Sequence, residues 1–210
     1  MIDLKLISEA LQTGDAEKVE DLIKKALIES ITPKEILEKG LIDGMSVIGD
    51  KFKKNEIYVP EVLIAARAMH LGMDILKPKL IEDGVKNVGK VTIGTVKGDL
   101  HDIGKNLVSM MLEGAGFEVI DLGVDVSSEK FIDAVEKYQP DIVGMSALLT
   151  TTMINMAEVI KSLENAGLRE KVRVMIGGAP ITKKYADEIG ADGYAPDAAS
   201  AVDTAKGFLT

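Results

Sequence analysis

Apolar residues recur every three or four positions through the first 82 or so residues of the chain. After residue 90 they gather instead into short runs separated by polar stretches. The first rhythm is that of amphipathic helices. Leu4, Ile7 and Leu11 outline one. Val19, Leu22, Ile23, Ala26 and Leu27 outline a second, entered through Thr13-Gly14-Asp15 with Asp15 as its N-cap. Thr32-Pro33-Lys34-Glu35 combines a capping hydroxyl, a proline suited to the first helical position and a glutamate three residues after the threonine, a strong start signal. The third helix, which it opens, runs through Ile36, Leu37, Leu41, Ile42, Met45, Val47 and Ile48 until residues 51–60 interrupt it. A fourth begins at Pro60 and carries Val62, Leu63, Ala65, Ala66, Ala68, Met69, Met73, Ile75 and Leu76. Four amphipathic helices with short connections predict an antiparallel bundle.

The polar, glycine-containing stretch 82–90 reads as a linker. Beyond it, five short apolar runs predict strands at 91–96, 118–122, 142–146, 172–176 and, more weakly, 193–195. Helical stretches fall near 103–115, 128–138, 151–166, 182–189 and 197–208. Strands alternating with helices predict a doubly wound parallel sheet, and the flavodoxin-like (Rossmann-like) order 2-1-3-4-5 is expected. The predicted architecture is therefore an α domain, residues 1–85, followed by an α/β domain, residues 90–210.

Composition narrows the function. The 210 residues include 46% hydrophobic and 28% charged positions but only 4% aromatics, so the core rests on Leu, Ile, Val, Ala and the 10 methionines. With 0 Cys there is no disulfide framework and no zinc knuckle. No apolar run approaches the ~20 residues of a membrane span. Met1-Ile2-Asp3-Leu4-Lys5 lacks the features of a signal peptide, so a cytoplasmic location is the default expectation. The net charge of −9 argues against a nucleic-acid partner.

In the expected topology, ligands bind outside the carboxyl ends of the strands, where the order reverses between strands 1 and 3. Three unusual loops converge there: Lys97-Gly98-Asp99-Leu100-His101-Asp102-Ile103-Gly104, then Ser146–Thr152, then Gly177-Gly178-Ala179-Pro180. A histidine at the entry to a helix is more often a surface residue satisfied by a neighbouring aspartate than a ligand. Here Asp99 offers an acceptor for one ring nitrogen and leaves the other open to a metal. With 2 His and no Cys in the chain, one imidazole cannot supply the four ligands zinc wants, so a metal here would have to bring its other ligands in a macrocycle. Ser146–Thr152 reads either as helix capping or as pocket lining, and Gly177-Gly178 either as a tight turn or as room for a bound group.

Asp99-x-His101-x-x-Gly104, Ser146-x-Leu148 and Gly177-Gly178 resemble the cobalamin-binding signature. Gly44-Met45, Gly49-Asp50-Lys51-Phe52 and Tyr58-Val59-Pro60-Glu61-Val62 are similar to the helical cap of methionine synthase and of the small corrinoid proteins of methyltransferase systems. The resemblance spans essentially the whole chain. It implies a short corrinoid protein, not catalytic alone. Such a protein accepts a methyl group on cobalt(I) from a donor:corrinoid methyltransferase. It then passes the group from methyl-cobalt(III) to a second methyltransferase acting on tetrahydrofolate or a thiol. A reductive activation protein is the further partner implied. The resemblance further implies cobalamin or a related corrinoid bound base-off/His-on, with His101 as the cobalt ligand and Asp99 and Thr152 extending it into a proton-holding chain. The methionine synthases have serine at the Thr152 position. Asp102, Ile103 and Gly104 belong to the same motif. Ser146, Leu148 and Thr150 would line the displaced nucleotide tail, Gly177 and Gly178 would give it space, and Tyr194, Ala195 and Asp197 would close the rim. Phe52, Val59 and Val62 would cover the methyl-bearing face, with valine at 59 where the family has leucine, or else serve as bundle core. Methyl transfer from a covered face leads to the expectation of a hinge at 83–90. A corrinoid-dependent sensor or a mutase subunit would share the histidine motif, but the first needs a DNA-binding segment and the second a barrel partner.

Overall fold

A computed structural model describes residues 2–210. Met1, the first residue of the N-terminal stretch considered above, lies outside them. The chain divides into two units. One runs to Asn87 and takes in Gly114–Gly116; the other comprises Val88–Glu113 and Phe117–Thr210.

The first unit is helical: α1 (Lys5–Gln12), α2 (Ala16–Ile28), α3 (Pro33–Ile36), α4 (Asp43–Lys53) and α5 (Val59–Glu82). The Asp15 carboxylate caps α2 through the Lys18 N–H, and the Thr32 hydroxyl caps α3 through the Glu35 N–H. Helix α1 packs on α2, α4 and α5, and α2 packs on α5. The expected third helix is not a single α-helix. A π-helical segment, Leu37–Ile42, joins α3 to α4 without a break. Its extra residue turns both Gly40 and Leu41 inward, after buried Ile36 and before buried Met45 and Ile48. Glycine lets α1 approach here: a Cβ on Gly40 would lie 3.1 Å from Ile7 Cγ2, and one on Gly44 would lie 3.2 Å from the Ser8 carbonyl oxygen. Helix α5 extends beyond Leu76 through Pro78 to Glu82.

The second unit alternates β1 (Lys90–Thr95), α6 (Ile103–Gly114), β2 (Glu118–Asp121), α7 (Ser128–Tyr138), β3 (Ile142–Ser146) and α8 (Thr150–Asn165). A 3₁₀ turn at Arg169–Lys171 follows, then β4 (Arg173–Gly177), α9 (Lys183–Ile189), β5 (Gly193–Ala195) and α10 (Ala198–Gly207). The strands are all parallel in the order β2-β1-β3-β4-β5, as the alternation predicts. Strands covered on both faces need continuous apolar runs, and Val91–Thr95, Ile142–Met145 and Val174–Ile176 are buried throughout. Val143, Met145, Val174 and Ile176 pack with Phe131, Met156, Ile160 and Leu163 in one core. Ser127, Thr182 and Asp197 cap α7, α9 and α10. No helix among the described residues is long and apolar enough to cross a membrane.

Candidate functional site

Thr95, Ser146, Gly177 and Ala195 stand opposite one another at the carboxyl ends of β1, β3, β4 and β5. Parallel strands bring the loops that follow them to one edge, and these loops interlock. The N–H of Leu148, after β3, donates to Asp99 Oδ2, after β1, at 2.8 Å. A Cβ on Gly178, after β4, would lie 1.9 Å from the Ala147 carbonyl oxygen, and its φ of 130° is one that side chains with a Cβ avoid. A Cβ on Gly177 would reach 3.0 Å from the Ala195 carbonyl oxygen.

Asp99 organises this edge. Its side chain is fully buried. Oδ2 accepts hydrogen bonds from the Thr152 hydroxyl at 2.6 Å and the N–H groups of Leu148 and Leu149 at 2.8 and 3.3 Å. Oδ1 faces the backbone N–H of His101 at 3.1 Å and its ring Nδ1 at 2.7 Å. Leu149 precedes α8 and makes no side-chain cap of its own; a carboxylate from the neighbouring strand takes that place, where a helix N-terminus favours negative charge. Burial alone would push the Asp99 carboxyl up, but the bonds from Thr152, Leu148 and His101 outweigh it and hold the group well below the usual carboxylate range.

An ionised carboxylate only accepts, so Nδ1 carries the proton and donates, leaving the His101 Nε2 lone pair directed away from Asp99. The His101 side chain is 51% exposed. Its carbonyl accepts from the buried Thr95 hydroxyl at 3.0 Å. Around it stand apolar side chains left open to solvent: Leu100 at 70%, Ile103 at 79%, Leu148 at 43% and Leu149 at 42%. A Cβ on Gly104 would meet nothing within 4 Å. Among the described residues, no three His, Cys, Asp or Glu side chains are grouped to hold a metal ion. One imidazole in an open apolar rim matches a metal that brings its other ligands in a flat ring.

The remaining sequence candidates divide. Thr150 begins α8 and is exposed, Ser146 and Tyr194 are half-buried, and Ala195 is buried. Asp102 turns to Asn106 Nδ2 at 3.1 Å, and Asp197 is occupied as a cap by the Ser200 N–H and hydroxyl. In the helical unit, Phe52 is half-buried, Val59 is at the edge of exposure at 36%, and Val62 is fully buried. Sequence reasoning missed Leu100, Leu149 and Asp125. Asp125 Oδ1 accepts from the Gly98 N–H at 2.7 Å and its own N–H donates to the Asp99 carbonyl. Its signal was an aspartate just beyond strand 2, the strand adjacent to the histidine loop.

The B12 binding domain family matches residues 89–203, and a second family described as a B12 binding domain matches residues 4–77. The trimethylamine corrinoid protein of Methanosarcina barkeri is 43% identical over 203 residues, 96% of this chain and 94% of that protein. Dimethylamine corrinoid protein 3 of Methanosarcina acetivorans is 44% identical over 203 residues, 97% of this chain and 95% of its own. The solved methanol:cobalamin methyltransferase complex from Methanosarcina barkeri superposes with a TM-score of 0.87 at 30% identity, covering 98% of this chain and 79% of that one.

Proposed function

The chain belongs to the B12-binding corrinoid proteins and is the methyl-carrying component of a methyltransferase system; we propose that His101 is the one protein ligand to the cobalt and that a methylamine is the methyl donor. The observation that carries the ligand assignment is the 2.7 Å contact of His101 Nδ1 with a buried, ionised Asp99, which fixes the tautomer and leaves Nε2 outward at the carboxyl edge of the sheet. The corrinoid supplies a cobalt centre able to take and release a methyl group.

This chain's own residues bind, orient and tune. Asp99 sets the ring orientation and the tautomer that leaves Nε2 open. Thr152 and the N–H groups of Leu148 and Leu149 keep Asp99 charged, so the His101–Asp99 pair holds a proton at Nδ1 rather than on the carboxylate. Leu100, Ile103, Leu148 and Leu149 offer an apolar seat. Gly177 and Gly178, with Ser146, Thr150 and the rim residues Tyr194, Ala195 and Asp197, form the side we assign to the nucleotide tail, and binding is base-off/His-on. Phe52, Val59 and Val62 belong to the bundle unit, which we assign to the opposite face of the ring. We place the joint between the domains at residues 83–89. They are mostly exposed, and Gly84, at a φ of 66°, has nothing near its Cβ position.

The methylamine assignment follows the relatives named for trimethylamine and dimethylamine, at 43% and 44% identity, and, among solved structures, 35% to a monomethylamine corrinoid protein against 30% to the methanol complex. The partners are then a methylamine:corrinoid methyltransferase, a second methyltransferase for a folate or thiol acceptor, and a reductive activation protein, all in the cytoplasm.

The test is reconstitution with methylcobalamin. Wild type should give the histidine-ligated spectrum, and His101→Ala should bind the corrinoid without it. Identical spectra would overturn the ligand assignment. Methyl transfer over a donor panel of tri-, di- and monomethylamine and methanol should favour an amine; preference for methanol would overturn that part alone. Shortening 83–89 should slow transfer while sparing corrinoid binding, and unchanged transfer would refute the joint.

A further inference from the structure

Two buried charged side chains flank His101 along the chain, and Asp99 is one of them. The other is Lys105, two residues into α6, with a side chain 1% exposed. Its ammonium donates to Asp121 Oδ2 at 2.5 Å, at the end of β2, and to Asn106 Oδ1 at 2.7 Å. Asn106 Nδ2 then donates to Asp102 Oδ2 at 3.1 Å, and the Asn106 N–H donates to the Asp102 carbonyl at 2.8 Å. Asp121 is itself held through Oδ1 by the Gly123 N–H at 2.8 Å. An unbroken chain of hydrogen bonds therefore runs from the edge strand, through a buried cation, to the residue that follows His101.

Burying an ammonium is costly, and a methionine of similar length would fill the same volume without desolvating a charge. What the ammonium adds is direction: several donors aimed from a buried position at fixed acceptors nearer the surface. Asp99 and Thr95 secure the His101 ring, N–H and carbonyl from the β1 side. Neither reaches the turn from Asp102 into α6. The Lys105–Asn106–Asp102 chain does.

We infer that Lys105 is a positioning residue for His101: anchored on Asp121, it holds Asp102 and the first turn of α6 so that the imidazole keeps one orientation. This rests on the reading of His101 as the cobalt ligand. In Lys105→Met the chain is cut at the cation, and in Asn106→Ala it is cut at a half-exposed side chain.

The test has two arms. In cofactor-free protein, amide hydrogen exchange at His101 and Asn106 should quicken about tenfold in either variant, while Val143 and Met145 in the central strand stay at wild-type rates. With methylcobalamin as the probe, the dissociation constant should rise about tenfold, the scale on which partners of a metal-bound histidine act, and part of the bound corrinoid should lose the histidine-ligated spectrum. Wild-type exchange at His101 with wild-type affinity, in either folded variant, overturns the inference; so does faster exchange that is equal at Val143, which marks general loosening. If Lys105→Met does not fold, Asn106→Ala decides alone by the same criteria. If wild type binds methylcobalamin without histidine ligation, the ligand reading falls, and the exchange comparison of the variants with wild type alone decides whether Lys105 holds the His101 turn.

Discussion

The two ends of the parallel sheet spend their aspartates differently. At the amino end Asp192 takes Arg169 at 2.8 Å, Arg173 at 3.2 Å and the Val174 N–H at 2.7 Å, while Asp141 takes the Lys90 N–H at 2.8 Å. Those carboxylates are closed on structural partners. The concavity beside them, about 430 Å³, is lined by Val135, Pro140, Asp141, Leu168, Lys171 and Val172 among others, and no imidazole stands in it. At the carboxyl end Asp99 is satisfied as fully, but one partner is a histidine whose second nitrogen points outward, within a rim of uncovered apolar side chains. A depression in the surface is thus a poorer guide to this site than a buried charge that orients an exposed donor. The rim suits a large flat ligand better than a deep hole would.

The contrast breaks most severely at Gly178. Alanine there must move the Ala147 carbonyl or abandon a φ of 130°. Gly178→Ala should cost about 3 kcal/mol in urea unfolding and displace the β3 loop, with loss of methylcobalamin binding. Wild-type stability and binding together would show that the close approach is dispensable. Asp99→Ala comes next. It strands the N–H groups of Leu148 and Leu149 and leaves the Thr152 hydroxyl only the Leu149 carbonyl, a loss of about 2–3 kcal/mol, and it frees the imidazole.

Asp99 also sets a pH dependence. Its carboxyl is held below the ordinary value near 4, so the unfolded chain binds the proton more readily than the folded one. Stability from this group is fully present above the unfolded value and drains away as pH falls through the folded one. Asp99→Asn should flatten that acid limb by an amount on the order of 2 kcal/mol. An equally steep limb in the variant, followed by circular dichroism from pH 7 to pH 2, would assign the acid sensitivity elsewhere.

At the other end, Asp192→Ala should reduce stability by about 1–2 kcal/mol through the lost bonds to Arg169, Arg173 and Val174. It should leave the methylcobalamin spectrum of the folded protein as it was. A changed spectrum would mean that the two ends of the sheet are coupled, and the comparison would fail.

The difference between the ends was half legible in the sequence. The alternation of apolar runs and helical stretches carried the strand order and placed His101, Ser146 and Gly177 on one edge, because a parallel sheet leaves little choice about where its loops emerge. The pairing of Asp99 with His101 was readable from their spacing of two. The donors that make Asp99 a strong orienting group were not, since Leu148 and Leu149 contribute backbone N–H groups that any residue but proline would supply. Lys105 was hidden because a lysine in a helix reads as solvent-facing until its acceptor, sixteen residues away on β2, is placed. The π-helical segment left a fainter trace: Ile36 and Leu41 are both fully buried five residues apart, one more than an α-helix allows on a single face.

The smallest expected effect is the sharpest on the rim itself. The Thr152 hydroxyl has one proton and two acceptors in reach, Asp99 Oδ2 at 2.6 Å and the Leu149 carbonyl at 3.0 Å. The charged, closer acceptor takes it, because hydrogen bonds to ionised groups are shorter and stronger than neutral ones. Thr152→Val keeps the shape and removes the proton, so it should cost about 1–2 kcal/mol and let the Asp99 carboxyl rise toward its ordinary value. The acid limb of stability should then be shallower than in wild type and level off at a higher pH. Thr152→Ser restores a donor without the methyl group and should return the limb to its wild-type position. If valine and serine gave the same acid limb, Thr152 would be a packing residue, and the low carboxyl value would rest on the Leu148 and Leu149 N–H groups and His101.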